Sequence, residues 1–215
     1  MKHSILAAAI ALATLPVAAS AQQMGEPHVG VGISTMGAVI QGGFRITPSF
    51  GARALYAGLP TIRDTVEIDD IDYDIQGRLG GLALLGDYFP GDMGVRISAG
   101  IFVPNSELKG DVTASASNPI EVGAATFNSG ETVNTNTTFK NDVAPMATIG
   151  YVYEMRNNMF LSAEAGVIYT GGFDVQVQGT GVPQANLDQE AANVRDELNK
   201  YKVLPYVQLM AGFRF

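Results

Sequence analysis

The segment from Pro205 to Phe215 limits the fold of this chain more than any other. Pro205, Val207, Leu209, Ala211, Phe213 and Phe215 fall on one side of a two-residue period, and Tyr206, Gln208, Met210, Gly212 and Arg214 on the other. Successive strand side chains point to opposite faces, so this alternation predicts a β-strand with one apolar wall. Its length is close to the roughly 9–11 residues of a tilted strand that crosses a bilayer. Backbone polar groups must all be paired in hydrocarbon, so strands that cross a membrane close into a barrel.

The other end of the chain fits an exported protein. Lys2 and His3 form a short basic start, residues 5–15 an apolar run ended by Pro16, and Ala19-Ser20-Ala21 supplies the small-x-small pattern of signal peptidase sites. The run is shorter than the roughly 20 residues of a spanning helix. Cleavage is expected before Gln22, which makes residues 1–21 a signal peptide and residues 22–215 a single β-barrel domain. The chain has no Cys, which excludes a lipid-modified cysteine, a disulfide framework and a thiolate metal site. Its formal charge of −8 becomes −9 once Lys2 leaves with the signal, and that acidity argues against nucleic acid as a partner.

Period-2 alternation yields eight strands, near residues 28–35, 38–46, 50–59, 73–89, 95–103, 143–154, 161–177 and 205–215. Turn residues separate them at Met36-Gly37, Thr47-Pro48-Ser49, Pro90-Gly91-Asp92 and Arg156-Asn157-Asn158. Each strand has an apolar row and a row that is small, Gly-rich and sparsely charged. In the fourth strand the polar row is Asp74, Gln76, Arg78 and Gly80, and in the seventh the row carries Glu164 and Asp174. A soluble lipocalin-like barrel also alternates, but it would turn a charged row to water. Small polar rows suit the cramped lumen of an eight-stranded barrel, and Tyr and Phe near the strand ends suit an aromatic girdle. The expected fold class is all-β: an eight-stranded antiparallel transmembrane barrel.

The chain resembles the small eight-stranded outer-membrane proteins of Gram-negative bacteria, of the OmpW and OmpA-transmembrane kind. The resemblance rests on Ala19-Ser20-Ala21, the alternating strands, the short turns and the terminal Gly212-Phe213-Arg214-Phe215. It implies an outer-membrane location reached through the periplasm, with outer-membrane lipids and lipopolysaccharide as surroundings. It also implies that Phe213 and Phe215 are read by the barrel-assembly machinery. With an even strand number, the turns at 47–49, 90–93 and 156–158 should face the periplasm. Segments 60–72, 105–138 and 179–201 should then face outward.

In that barrel Arg45, Arg53, Arg78, Arg96 and Arg214 point inward with Glu154, Glu164 and Asp174. Buried charges must pair, since an unpaired one costs several kcal/mol. The network is either a gate that rearranges to open a pore or a permanently closed plug. Eight strands leave little room for water, which favours the plug. Inward glycines, among them Gly30, Gly43, Gly150 and Gly212, could instead leave a cavity, and Leu82, Leu84, Phe102 and Ile168 could line an apolar upper lumen.

Other chemistry is sparse. His28 is the only His after signal removal and has no Ser partner in view, so no enzyme is expected. Asp69, Asp70 and Asp72, beside Glu67 and Asp74, could hold a divalent cation, but the spacing lacks the Gly and distant Glu of an EF-hand loop and reads as a solvated acidic loop. No cofactor is expected. Leu187, Ala191, Val194, Leu198 and Tyr201 recur at helical spacing, with Asn186 as the cap, Gln189 three residues on, and Lys200 and Lys202 at the far end. This helix in the last outer loop is either a lid across the mouth or a segment packed on its neighbours. Two functions remain: a structural or surface-interaction barrel with a plugged lumen, and a narrow channel or OmpW-like transporter for small apolar solutes.

Overall fold

The computed structural model describes residues 26–68, 71–91, 93–116 and 119–215; the expected signal segment lies outside them. In chain order the elements are β1 (Pro27–Ser34), β2 (Gly37–Arg45), β3 (Phe50–Gly58), β4 (Ile62–Ile68), β5 (Ile71–Arg78), β6 (Gly80–Tyr88), β7 (Val95–Pro104) and β8 (Glu107–Thr113). They continue with β9 (Ile120–Val122), β10 (Ala125–Phe127), β11 (Thr132–Phe139), β12 (Ala144–Glu154), β13 (Met159–Tyr169), β14 (Phe173–Thr180), helix α1 (Gln184–Leu198) and β15 (Val203–Arg214). Eight strands form a closed antiparallel barrel in the order β1-β15-β13-β12-β7-β6-β3-β2. Closure pairs the two ends of the chain: Val29 faces Phe213, Val31 faces Ala211, and the Phe215 amide donates to the Pro27 carbonyl at 2.9 Å.

One end of the barrel carries tight turns. The Phe50 amide donates to Thr47 Oγ1 at 3.0 Å, Gly91 and Gly94 take left-handed backbone angles, and Asn158 does the same between β12 and β13. At the other end only β1 and β2 join by a short turn, in which Ser34 Oγ accepts the Met36 amide at 3.1 Å. The remaining strands run on. β4, β5, β8, β11 and β14 form a second, five-stranded sheet in the order β14-β11-β8-β5-β4, the order of the barrel strands they extend. This second sheet is a partial wall standing on part of the barrel rim, and the β9–β10 hairpin and α1 lie against it.

The alternation reverses its meaning between the two sheets. On the barrel the outward rows are apolar and uncovered: Val31, Ile33, Ile149, Tyr153 and Leu209 are each more than half exposed. Beyond the barrel the outward row becomes polar. Along β7 it reads Ile97, Ile101, Val103, and along β8 Glu107, Lys109, Asp111. The lumen-side row of β8 is Leu108, Gly110 and Val112. An apolar outward wall suits hydrocarbon and a polar one suits water.

This reversal corrects several sequence expectations. The expected strand at 73–89 is two elements, β5 and β6, whose lumen-side row is Ile75, Gly77, Leu79, Gly81, Ala83, Leu85 and Asp87. Leu82 and Leu84 therefore point out, 43% and 48% exposed, whereas Phe102 and Ile168 are fully buried in the lumen as expected. The expected strand at 161–177 is also two elements. Thr170, Gly171 and Gly172 separate them, the two glycines at φ +75° and +110°, and the shift of phase turns Val175 and Val177 inward and Asp174 outward.

The helix runs from Gln184 to Leu198 rather than from 187 to 201. Pro183 takes the N-cap position without a side-chain cap, and Asn186 instead donates Nδ2–H to the Val122 carbonyl at 3.3 Å. Lys200 and Lys202 fall beyond its last turn, where Arg195 is the basic residue. Neighbouring side chains stand in the space beside inward glycines. A Cβ on Gly212 would meet the Phe160 ring at 2.2 Å, and one on Gly81 the Phe102 ring at 2.4 Å.

Candidate functional site

At mid-height in the barrel, five strands aim polar side chains at one point. Arg53 from β3 donates through Nη1 to Glu164 Oε2 at 2.8 Å and through Nη2 to Glu164 Oε1 at 2.6 Å, a bidentate pair. Arg96 from β7 donates through Nη2 to Glu164 Oε2 at 2.5 Å. Arg53 Nε lies 3.0 Å from Asp87 Oδ1 on β6, and Ser98 Oγ donates to the same oxygen at 2.6 Å. The Arg53 guanidinium also donates to Gln41 Oε1 of β2 at 3.0 Å and to Ser98 Oγ at 3.1 Å. Arg53, Arg96, Asp87 and Glu164 are each 3% exposed. Two guanidinium cations thus face two carboxylates, and their formal charges cancel.

Strand registry creates this meeting. Gly150 on β12 is the partner of Arg96 on one side and of Glu164 on the other. With no side chain at that position, the two charges meet across the strand. Gly43 likewise carries no side chain between its partners Arg53 and His28. Toward the extended end the lumen turns apolar: Val39, Leu55, Phe102, Met146, Ile168 and Tyr206 pack together, and the Tyr206 hydroxyl is satisfied by Gln208.

Toward the tight-turn end lies a second, more exposed charge group. Arg214 donates to Glu154 Oε1 at 2.6 Å and lies 3.4 Å from Glu26, while Arg45 is 3.9 Å from Glu154 and stacks 4.0 Å over the Phe89 ring. His28 sits between the two groups, edge-on to Phe160 at 5.9 Å.

The structure therefore divides the charges expected in the lumen. Arg53, Arg96 and Glu164 meet in the core; Arg45, Glu154 and Arg214 meet at the rim. Arg78 and Asp174 do neither. Arg78 stands on the outward face of β5, 3.9 Å from Glu107, and Asp174 on that of β14, 3.8 Å from Arg195 Nε. Both were expected inward because the polar row was followed through the rim, where its side reverses. The same reversal hid Asp87, which emerges once Leu85 is placed inward; Ser98 and Gln41 lie on the inward rows of their strands but, being uncharged, do not count among the charged partners. Phe213 and Phe215 lie at the barrel exterior with ring centres 5.3 Å apart. Among the cation candidates, Asp69 and Asp70 lie outside the described residues, and Asp72 is placed only by its strand. Among the described residues no three His, Cys, Asp or Glu side chains converge as a metal site would require.

The second sheet carries its own apolar core on the lumen side. Ala114, Val133, Val175 and Val177 pack with Ile120 and Val122 of the hairpin and Leu187 of α1. Polar latches hold the helix: Arg195 Nη2 donates to the Val175 carbonyl at 2.8 Å, Glu190 accepts the Gly123 amide at 3.0 Å, and Asn199 accepts the Phe173 amide at 2.9 Å. Below the helix end, above Leu79, a cleft of about 330 Å3 opens between the sheet and the barrel rim.

No family model matches the chain, and no curated protein matches it. Among solved structures, CarO2 of Acinetobacter baumannii is similar over 90% of this chain and 100% of its own, with a TM-score of 0.62 and 19% identity. CarO of the same organism is similar over 91% of this chain and 100% of its own, with a TM-score of 0.58 and 20% identity. A major outer membrane protein of Thermus thermophilus aligns over 89% of this chain and 99% of its own, with a TM-score of 0.43 and 14% identity. At these identities the CarO likeness is one of fold: a small closed barrel.

Proposed function

We propose that the protein is an outer-membrane barrel whose lumen is closed and which acts through the part that stands above the membrane. The observation that carries this reading is the charge-neutral Arg53–Arg96–Asp87–Glu164 cluster, buried at mid-lumen beneath the apolar layer of Leu55, Phe102, Met146 and Ile168. A solute crossing the barrel would have to part a bidentate ion pair and then displace close-packed side chains. The uncovered apolar exterior supports a lipid environment, since water-facing surfaces rarely carry apolar patches of such extent. In this reading the tight turns face the periplasm after export, and the second sheet rises among the lipopolysaccharide sugars. Phe213 and Phe215 are the contact with the assembly machinery. No catalytic role belongs to it.

Single-channel recording tests the closed lumen. The refolded protein in a planar bilayer, with closure of the barrel verified by heat-modifiable gel migration, should give no conductance steps. Reproducible steps from the wild type that change in Glu164→Ala would overturn the reading in favour of a narrow channel gated by the core cluster.

A further inference from the structure

Arg96 keeps a guanidinium donor that the core cluster does not use. Its Nη2 is bound to Glu164, but among the described residues its buried Nε–H has no partner, on a side chain only 3% exposed. His28 Nε2 is in the same condition. Both residues line one recess on the tight-turn side of the cluster, with room of about 20 Å3. That is space for a single water-sized particle, since one water needs ~10–15 Å3. Gly43 makes way for the imidazole there: a Cβ at that position would stand 2.7 Å from His28 Cε1.

The charged groups acting on the ring come from several strands: Arg96 of β7, Asp87 of β6, Arg214 of β15 and Arg53 of β3. Arg45 of β2 and Glu26 also line the recess and join it to the rim, while Phe160 of β13 and Val152 of β12 add uncharged wall. Asp87 is engaged through Oδ1 by Arg53 and Ser98. The core cluster sums to zero formal charge, and so does the rim group of Arg45, Arg214, Glu26 and Glu154. An anion beside a neutral His28 would therefore add an uncompensated negative charge. A proton on His28 alone would add a positive one beside Arg96. Together the two cancel, so each favours the other.

We propose that this recess is a site for one chloride-sized anion, bound together with a proton on His28 and held between the imidazolium and the Arg96 Nε–H. With His28 neutral, a water takes the anion's place, accepting from Arg96 and donating to the bare ring nitrogen. Histidine suits this exchange because protonation turns that nitrogen from acceptor to donor within an accessible pH range. The site opens toward the tight-turn end and needs no passage through the cluster, so it does not depend on the closed lumen.

The test is 15N NMR of the refolded mature chain in lipid nanodiscs, titrated with sodium chloride at about pH 4 and about pH 8. Sodium gluconate at equal ionic strength is the control, because its anion is too large for the recess. The other His of the sequence, His3, belongs to the expected signal segment, so the ring resonances report His28 alone. In acid, chloride should shift the His28 ring and the Arg96 Nε–H saturably and with one affinity, at least about tenfold tighter than at the higher pH. His28→Gln, which cannot take up the proton, should lose the acid-enhanced binding, whereas Arg45→Gln at the rim should retain it. Equal shifts in chloride and gluconate, equal chloride affinity at both pH values, or acid-enhanced binding that survives His28→Gln would each overturn the site. The comparison of the two salts in the wild type decides the question even if a variant fails to fold.

Discussion

Glu164 accepts three guanidinium hydrogen bonds, two from Arg53 and one from Arg96, and is only 3% exposed. Removing one partner from such a cluster strands the remaining charge, and the cost is set by its desolvation rather than by the bond lost. Glu164→Ala should therefore lower stability by about 3–5 kcal/mol, measured by urea unfolding in lipid vesicles. Arg214 provides the contrast. Its partners Glu154 and Glu26 are 47% and 63% exposed, so water replaces the pair when it is broken. Arg214→Ala should cost no more than about 1 kcal/mol in the same assay. Equal losses in the two variants would show that the core cluster is hydrated. Arg53, Arg96 and Glu164 fall on the inward rows of their strands, since facing is a local property. The sequence did not separate them from Arg45, Arg214 and Glu154, because height in the barrel depends on the stagger between strands.

At the scale of elements, the tight turns were legible because their chemistry is local: Pro, Gly and Asn at positions that demand fixed or left-handed backbone angles. The breaks between β5 and β6 and between β13 and β14 were not. In the first, the apolar residues change row, which reads as a fault in the pattern rather than as a boundary. In the second, Gly171 and Gly172 shift the phase, so Val175 and Val177 stay in step with Tyr169 while pointing the other way. The helix was visible from its spacing, but its packing was not. Leu187, 2% exposed, anchors α1 to Val175 and Val177. Leu187→Asp should free the helix and speed amide exchange across 184–198, with the barrel's heat-modifiable migration unchanged. Slow exchange in that variant would mean that the Arg195, Glu190 and Asn199 latches hold the helix without the apolar anchor.

On the scale of the whole molecule, two sheets of shared strand order carry two different outward surfaces. The barrel presents Val31, Ile149 and Leu209 outward, and the second sheet presents Lys109, Asp111 and Asn134. Charge added to the lipid-facing wall should be costly in proportion to depth. Leu209→Arg should destabilise the barrel by about 2–4 kcal/mol if that position is near the midplane, while Thr113→Arg on the second sheet should leave stability within about 0.5 kcal/mol. Both are read by unfolding in vesicles, and a tolerated Leu209→Arg would place that wall in water.

By itself, the sequence determined the class of fold and the two walls of each barrel strand, because alternation at period two is written residue by residue and the short turns carry their own backbone requirements. Only the tertiary structure decided which charges meet, where the strands pass from barrel to second sheet, and that a cleft lies between them. Arg53 and Glu164 are 111 positions apart in the chain, and no local pattern records the closure and stagger that bring them within hydrogen-bonding distance.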